Sequence, residues 1–301
     1  MLAAATAACS SNKDEKPAAS GATSAVTTSQ VADTGKFVVR YDRAMASDLA
    51  KDGKKIAQDN KVIDDLAEAL GNVYKLPKDV TVVGKECGEF NAYWDPQKQS
   101  IVLCYEMFGI AEKFAKAQAE DDLTLFNVYF DGITRMITLH ESAHMAINLY
   151  SLPTTGREED AADQLGALIL LTAPGVGGLG GLGAASDFWF AVSDDPASLD
   201  ARSYADQHSL SQVRAYNLLC WLYGAVPDKL GMLVQQPGQP EEKGLLPSQR
   251  AVGCPDEYNR MRASWETLLK PYIKIELGLP TTATATTSAR ATPSATTTPT
   301  R

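Results

Sequence analysis

The chain has 301 residues, of which 45% are hydrophobic and 22% charged, the proportions of a folded globular protein and not of a disordered or membrane-embedded one. With 28 basic against 37 acidic side chains the formal charge is -9, so no basic surface is on offer for phosphate backbones and nucleic acid is excluded as the expected partner.

In chain order, Met1 to Ala8 are small and apolar and lead into Cys9-Ser10-Ser11, after which a run rich in Ala, Ser, Thr and Lys continues to about Thr34. This resembles the end of a bacterial lipoprotein signal peptide, with Cys9 as the lipidated residue and residues 1–35 as signal remnant and disordered tether. The competing reading is an uncleaved, disordered N-terminus, since a basic n-region is lacking and the apolar run is short. The lipoprotein reading places the protein outside the cytoplasm, in the cell envelope facing the periplasm or exterior, and in contact with a membrane only through the anchor on Cys9. Cysteine usage agrees with export: without Cys9, an even set of four remains (Cys87, Cys104, Cys220 and Cys254), as expected for two disulfides. Buried free thiols are the alternative.

Phe37 to Tyr41 alternates as a strand does, and Ile63, Leu66, Leu70 and Val73 mark the apolar face of a helix over Ile63–Tyr74, closed by Leu76-Pro77. A β region starts with Val80 to Val83 and includes Glu89 to Trp94, a turn over Asp95–Lys98, and Ser100 to Tyr105, the arrangement of a hairpin. Such a hairpin sets Cys87 nearly opposite Cys104, which favours that pairing and leaves Cys220 for Cys254. Leu123 to Tyr150 contains no Pro and one Gly and is apolar on nearly all sides, as a helix inside the protein is. A second helix is expected from about Gly156 to Leu171. The uncharged stretch Gln164 to Ser186 has the length of a membrane span, but Pro174 and six glycines between Gly175 and Gly183 make a continuous helix improbable. We read it as a buried helix running into a flexible Gly-rich loop. Further helices are expected over Leu210–Tyr223 and Cys254–Ile273, and a disordered tail over residues 281–301, almost only Thr, Ala, Ser and Pro.

His140-Glu141-Ser142-Ala143-His144 fits HExxH on the long helix. Residues four apart stand about 6 Å apart along the axis on nearly one face, so two imidazoles reach one ion. Glu141 is placed to take a proton from a water activated by that ion. Two histidines, a carboxylate and one open position suit a catalytic Zn2+, although the same set holds iron or manganese. For the third ligand the next helix offers Glu158, Glu159, Asp160 and Asp163. Thr155 with Glu158 fits a capping box, which occupies Glu158 and leaves Glu159 as the ligand. Asp163, one turn on, is placed to accept a hydrogen bond from the non-ligating nitrogen of a ligand histidine. The bland reading of this acidic cluster is a solvated first turn favoured by the helix dipole.

HExxH followed on the next helix by Glu159-Asp160-Ala161-Ala162-Asp163 resembles the gluzincin metallopeptidases, and the resemblance implies that Glu159 and Asp163 are third ligand and orienter. More narrowly, the chain is similar to a bacterial family of unknown function described as metallopeptidases. The likeness lies in Asn91 to Trp94, Leu103 to Glu106, His140 to His144, Glu159 to Asp163, Gln212 to Leu218 and Cys254 to Tyr258, and it spans roughly Lys36 to Leu279. In a zincin arrangement the second hairpin strand, Ser100 to Tyr105, is expected at the sheet edge, where it aligns an extended peptide by backbone pairing. A plain structural hairpin is the alternative. His208 is assigned a catalytic role without a metal role, as donor to an oxyanion, with Arg214 and Tyr216 as alternative donors; a lone histidine at a helix start is otherwise a cap or surface residue. The expectation is therefore an α+β zincin-like domain over residues 36–280, with a small sheet, acting on a peptide or protein substrate. Its rival is a noncatalytic envelope lipoprotein with a structural zinc site or a peptide-binding role.

Overall fold

The structure is a computed structural model that describes residues 31–44, 46–172, 178–193, 196–236, 238 and 245–279. The expectations for Cys9, for most of the tether and for the tail from Thr281 lie outside the described residues. Among the described residues the chain is mixed α+β, with one four-stranded sheet beside a larger helical layer.

Strand β1 (Phe37–Tyr41) leads through α1 (Asp48–Asp59) and α2 (Val62–Val73) to β2 (Val80–Lys85), which lies parallel to β1. Then β3 (Ala92–Asp95) and β4 (Ser100–Cys104) form the expected hairpin, with Asp95 Oδ1 accepting from the backbone N–H groups of Gln97 and Lys98 at 3.0 Å each to close its turn. The sheet order is β1-β2-β4-β3. That order corrects one expectation: Ser100–Cys104 is not the edge strand, because β2 and β3 flank it. All five of its residues are buried, and a strand covered on both faces belongs inside a sheet. The edge is β3.

Helix α3 (Tyr105–Ala119) follows β4 directly and was not expected; Tyr105 belongs to it and not to the strand. Nor was α1, whose buried residues Ala50, Gly53 and Ala57 are too small to print an apolar stripe on the sequence. The long helix α4 (Leu123–Leu149) starts where Asp122 Oδ1 accepts from the N–H groups of Thr124 and Leu125, at 2.8 and 3.0 Å. It packs against α3, against α5 (Glu158–Thr172) and against α6 (Gly178–Ala191), with β3 and β4 at its C-terminal half. Helices α7 (Ala201–Ala205), α8 (Ser211–Ala225), α9 (Ser248–Ala251) and α10 (Cys254–Leu269) complete the described chain, with α8 between α6 and α10. Helix α10 stops short of Ile273, which bridges to Tyr74 instead.

The Gly-rich loop is the second correction. From Gly178 onward that segment is helical, while residues 173–177 lie outside the described residues. A Cβ on Gly132 of α4 would stand 2.5 Å from the carbonyl oxygen and 2.7 Å from the Cα of Gly181. Glycine is needed at position 132 so that the two helix backbones can touch, a gain that offsets its poor helix propensity of about 1 kcal/mol. Disulfides join Cys87 to Cys104 beside the hairpin and Cys220 to Cys254 between α8 and α10. Among the described residues no helix is long and apolar enough to cross a membrane.

Candidate metal centre

Helix α4 carries His140, Glu141 and His144 on the side that faces α5 and the hairpin, and all three are largely out of solvent. Gly166 lets α5 lie close enough to use them, since a Cβ there would stand 3.2 Å from the backbone nitrogen of His140. The first turns of α5 then bring up Glu158, Glu159 and Asp163. His208 enters from the connection between α7 and α8.

The donors converge on a single carboxylate oxygen. Glu159 Oε2 lies 3.0 Å from His140 Nε2, 3.2 Å from His144 Nε2 and 2.9 Å from His208 Nε2, and the Nε2 atoms of His140 and His144 are 3.2 Å apart. Donors bound tetrahedrally at about 2.0–2.1 Å stand about 3.3 Å from one another, so His140, His144 and Glu159, at 3.0–3.2 Å from each other, fit a small divalent metal ion. The opposite ring nitrogens are committed to carboxylates: His140 Nδ1 to Asp163 Oδ1 at 2.7 Å and His144 Nδ1 to Glu158 Oε1 at 2.8 Å. An N–H donated there leaves Nε2 as the lone-pair nitrogen facing the centre.

Two readings of the acidic cluster separate here. Glu159 and Asp163 stand where the sequence reading put them, but Glu158 is not occupied in a capping box with Thr155: helix α5 begins at Glu158 itself and its carboxylate orients His144. Asp163 is held in turn by Arg214 of α8, which donates Nε–H to Oδ2 at 2.8 Å and Nη2–H to Oδ1 at 2.7 Å while its guanidinium lies 3.9 Å from the ring centre of Trp189. Arg214 is thus buried behind Asp163 and is not the oxyanion donor considered above; the ring of Tyr216 packs edge-on against Phe190. A charged residue in the apolar run of α8 has to be paired, a signal from which a buried partner could have been inferred, though not which one. The spacing marked Glu158 for the helix cap and not for His144.

The charges follow from this packing. Without a bound ion, burial opposes protonation of His140, but Asp163, then Glu159 and Glu141, outweigh it and hold the imidazole up at about 9, so a metal binding there displaces the proton from Nε2. Burial pushes the Glu141 carboxyl up against the pull of His140 and His144. Burial acts the same way on Glu159, yet the hydrogen bonds to His140, His144 and His208 win and keep it far below the ordinary carboxylate range. Asp163 is likewise held down against its burial by Arg214 and His140.

A cleft of about 690 Å³ opens over these groups, lined on one side by Asn91 to Trp94 at the edge strand and on the other by Glu141, His144, Glu159 and His208. The Trp94 indole N–H donates to Asn148 Oδ1 at 3.3 Å and ties that edge to α4. A second group of metal-type side chains, Cys87, Cys104 and Glu106, is committed elsewhere. Its cysteines form the disulfide, and Glu106 accepts from the backbone N–H groups of Cys87 and Gly88 at 3.2 and 2.7 Å.

A cleft floored by converging imidazoles and a carboxylate, with a further buried carboxylate alongside, is the equipment of a metal-dependent hydrolase. Residues 41–269 match the model of a family of unknown function described as "Putative metallopeptidase", and the chain belongs to that family, which implies a metal cofactor. No curated protein and no solved structure is significantly similar to it.

Proposed function

We propose that the protein is a zinc peptidase of the gluzincin type, with His140, His144 and Glu159 as ligands and Glu141 as general base. The observation that carries this is the division of labour between two carboxylates of one cleft. Glu159 Oε2 takes all three imidazole Nε2 contacts, whereas Glu141 is buried at the cleft wall with its carboxyl pushed up by burial. Zinc in this set supplies, when bound, Lewis-acid polarisation of a carbonyl and a water whose pKa is brought towards neutrality. Glu141 would accept a proton from the attacking water and return it to the leaving amine. Asp163 and Glu158 hold the two imidazoles of α4 in orientation, and His208 stands at the rim as a donor where negative charge develops on the carbonyl oxygen.

A peptide is the substrate this cleft favours, because edge strand β3 lines it and has a sheet neighbour on one side only, so an extended chain can add to it as a further strand. The deciding experiment is metal analysis of the purified protein with a peptide-library digest, with and without chelator. Zinc at one per chain with chelator-sensitive cleavage is expected; zinc without any cleavage would favour the noncatalytic rival. We also place the protein in the cell envelope, a reading supported by the setting of Cys9 and by the two cystines. Mass spectrometry of the mature chain should then find a lipid on Cys9.

A further inference from the structure

The chain contains three histidines, and all three meet at one atom. His208 is not simply near the centre: its Nε2 makes the shortest of the three contacts to Glu159 Oε2, 2.9 Å, and its ring lies nearly parallel to that of His140 with centres 6.0 Å apart. His140, Glu159 and His208 by themselves have donor atoms close enough together to share one ion. The back of the ring repeats the pattern of the other two histidines. Asp206 Oδ1 lies 3.3 Å from His208 Nδ1 and also accepts the backbone N–H of His208 at 2.8 Å, as Asp163 and Glu158 take the Nδ1 atoms of His140 and His144.

The segment that carries His208 is also fastened to the turn that carries Glu159. Arg157 donates to the His208 carbonyl oxygen at 3.4 Å, and Ser209 Oγ–H donates to Asp160 Oδ1 at 2.7 Å. These contacts flank Glu159 in sequence on both sides. They set His208 and Glu159 in fixed relation although 49 residues separate Asp160 from Ser209.

We propose that His208 is a fourth protein ligand of the metal, oriented by Asp206, and so closes the resting centre as a three-histidine, one-glutamate site. The inference rests on the ligand set proposed above and adds to it. Catalytic zinc sites keep a position open, whereas sites with four protein donors are closed. His208 therefore acts as a latch: while its Nε2 holds the metal it has no N–H for the carbonyl oxygen, and it takes up that donor role only once released. It is about half exposed, with 49% of its side chain accessible, and it sits on a connection and not within a helix, so it is the one donor of the four able to swing out of the way without unwinding α4 or α5.

The test is X-ray absorption at the zinc edge on the full zinc-loaded chain, counting imidazoles, together with zinc affinity by chelator competition, for the wild type, His208→Ala, Asp206→Asn and His140→Ala. Three imidazoles are expected in the wild type and two in His208→Ala. Affinity should fall in Asp206→Asn by roughly tenfold, the usual effect of losing the partner of a ligand histidine, and by more in His208→Ala. Two imidazoles in both wild type and His208→Ala, at equal affinity, overturns the inference and leaves His208 its oxyanion role alone. Undiminished zinc binding by His140→Ala would overturn the ligand set beneath it as well.

Discussion

Glu141 and Glu159 share one cleft, and their surroundings part their roles enough for substitution to tell them apart. Glu141→Gln keeps size and leaves every metal donor in place, so the variant should fold, hold zinc at one per chain and lose nearly all hydrolysis. Glu159→Ala removes the oxygen on which the imidazoles converge and should lose zinc and thermal stability together, read as metal stoichiometry beside a melting curve. Glu158→Ala should lower zinc affinity about ten- to a hundredfold through a free His144 ring, while Asp160→Ala, whose carboxylate meets Ser209, should do so only through the His208 segment. Equal affinities for wild type and Glu158→Ala would return Glu158 to the helix-capping role that its spacing from Thr155 first suggested. Arg214→Ala strands the Asp163 carboxylate in a buried setting and should cost about 3–5 kcal/mol, measured by denaturant unfolding. Those residues differ in how far the sequence announced them. His140, Glu141 and His144 were legible because one helical turn fixes their relation, and Glu159 and Asp163 because the following helix repeats that spacing. The partnerships of Arg214 with Asp163 and of Asp206 and His208 with the centre depend on how α8 docks, a contact across 51 residues that no local pattern encodes.

At the scale of elements, what was legible tracks the size of the buried side chains. Helices α2, α4, α5, α8 and α10 print large apolar residues at helical spacing, and their limits fall within a few residues of the reading from sequence. Helix α1 buries only small residues and so prints no apolar stripe, and α6 is written in glycine, so pattern was silent on the first and propensity argued against the second while the packing required both. The α4–α6 crossing makes this testable. Gly132→Ala forces a Cβ into the backbone of Gly181 and should destabilise the protein by about 1–3 kcal/mol, whereas Gly178→Ala, with open space around it at the start of α6, should be neutral or slightly stabilising. Equal effects of the two in thermal melts would mean that the helices do not cross there. Helices α8 and α10 offer a pH test. Glu257 accepts from the Trp221 indole N–H at 2.8 Å and from Arg250 Nη2 at 2.9 Å, and although burial pushes its carboxyl up, Arg250 and Trp221 hold it below its ordinary value. A depressed folded pKa contributes stability that is complete above the unfolded value of about 4.3 and is lost as pH falls through the folded one. The melting temperature of Glu257→Gln should therefore fall less steeply than that of wild type as the pH is lowered from about 5 to 3. Parallel curves for the two proteins would remove Glu257 from the acid response.

For the whole molecule, the question is what holds α4, α5 and the α7–α8 connection in one body, because those three pieces supply the centre. Apolar packing joins α4 to α5 and α8 to α10, and the Cys220–Cys254 disulfide closes the second pair, so the fold has a frame that does not depend on metal. The α7–α8 connection lacks that support. Asp206 and His208 are exposed, and the described side-chain ties of this segment are to Arg157, Glu159 and Asp160. Metal binding should thus add to global stability by linkage and order this connection most. At a free zinc concentration a hundred times the dissociation constant, linkage is worth about 2.7 kcal/mol, which for a chain of this size is a rise of roughly 5–11 °C in melting temperature. Chelation of the wild type should reverse that rise, Glu141→Gln should show the same rise, and Glu159→Ala should show none. Amide hydrogen exchange should localise the change, with residues 206–210 losing protection on chelation well before the interior of α4 does. A melting temperature that ignores chelator, in a protein shown to carry zinc beforehand, would mean that the ion binds elsewhere than among His140, His144, Glu159 and His208.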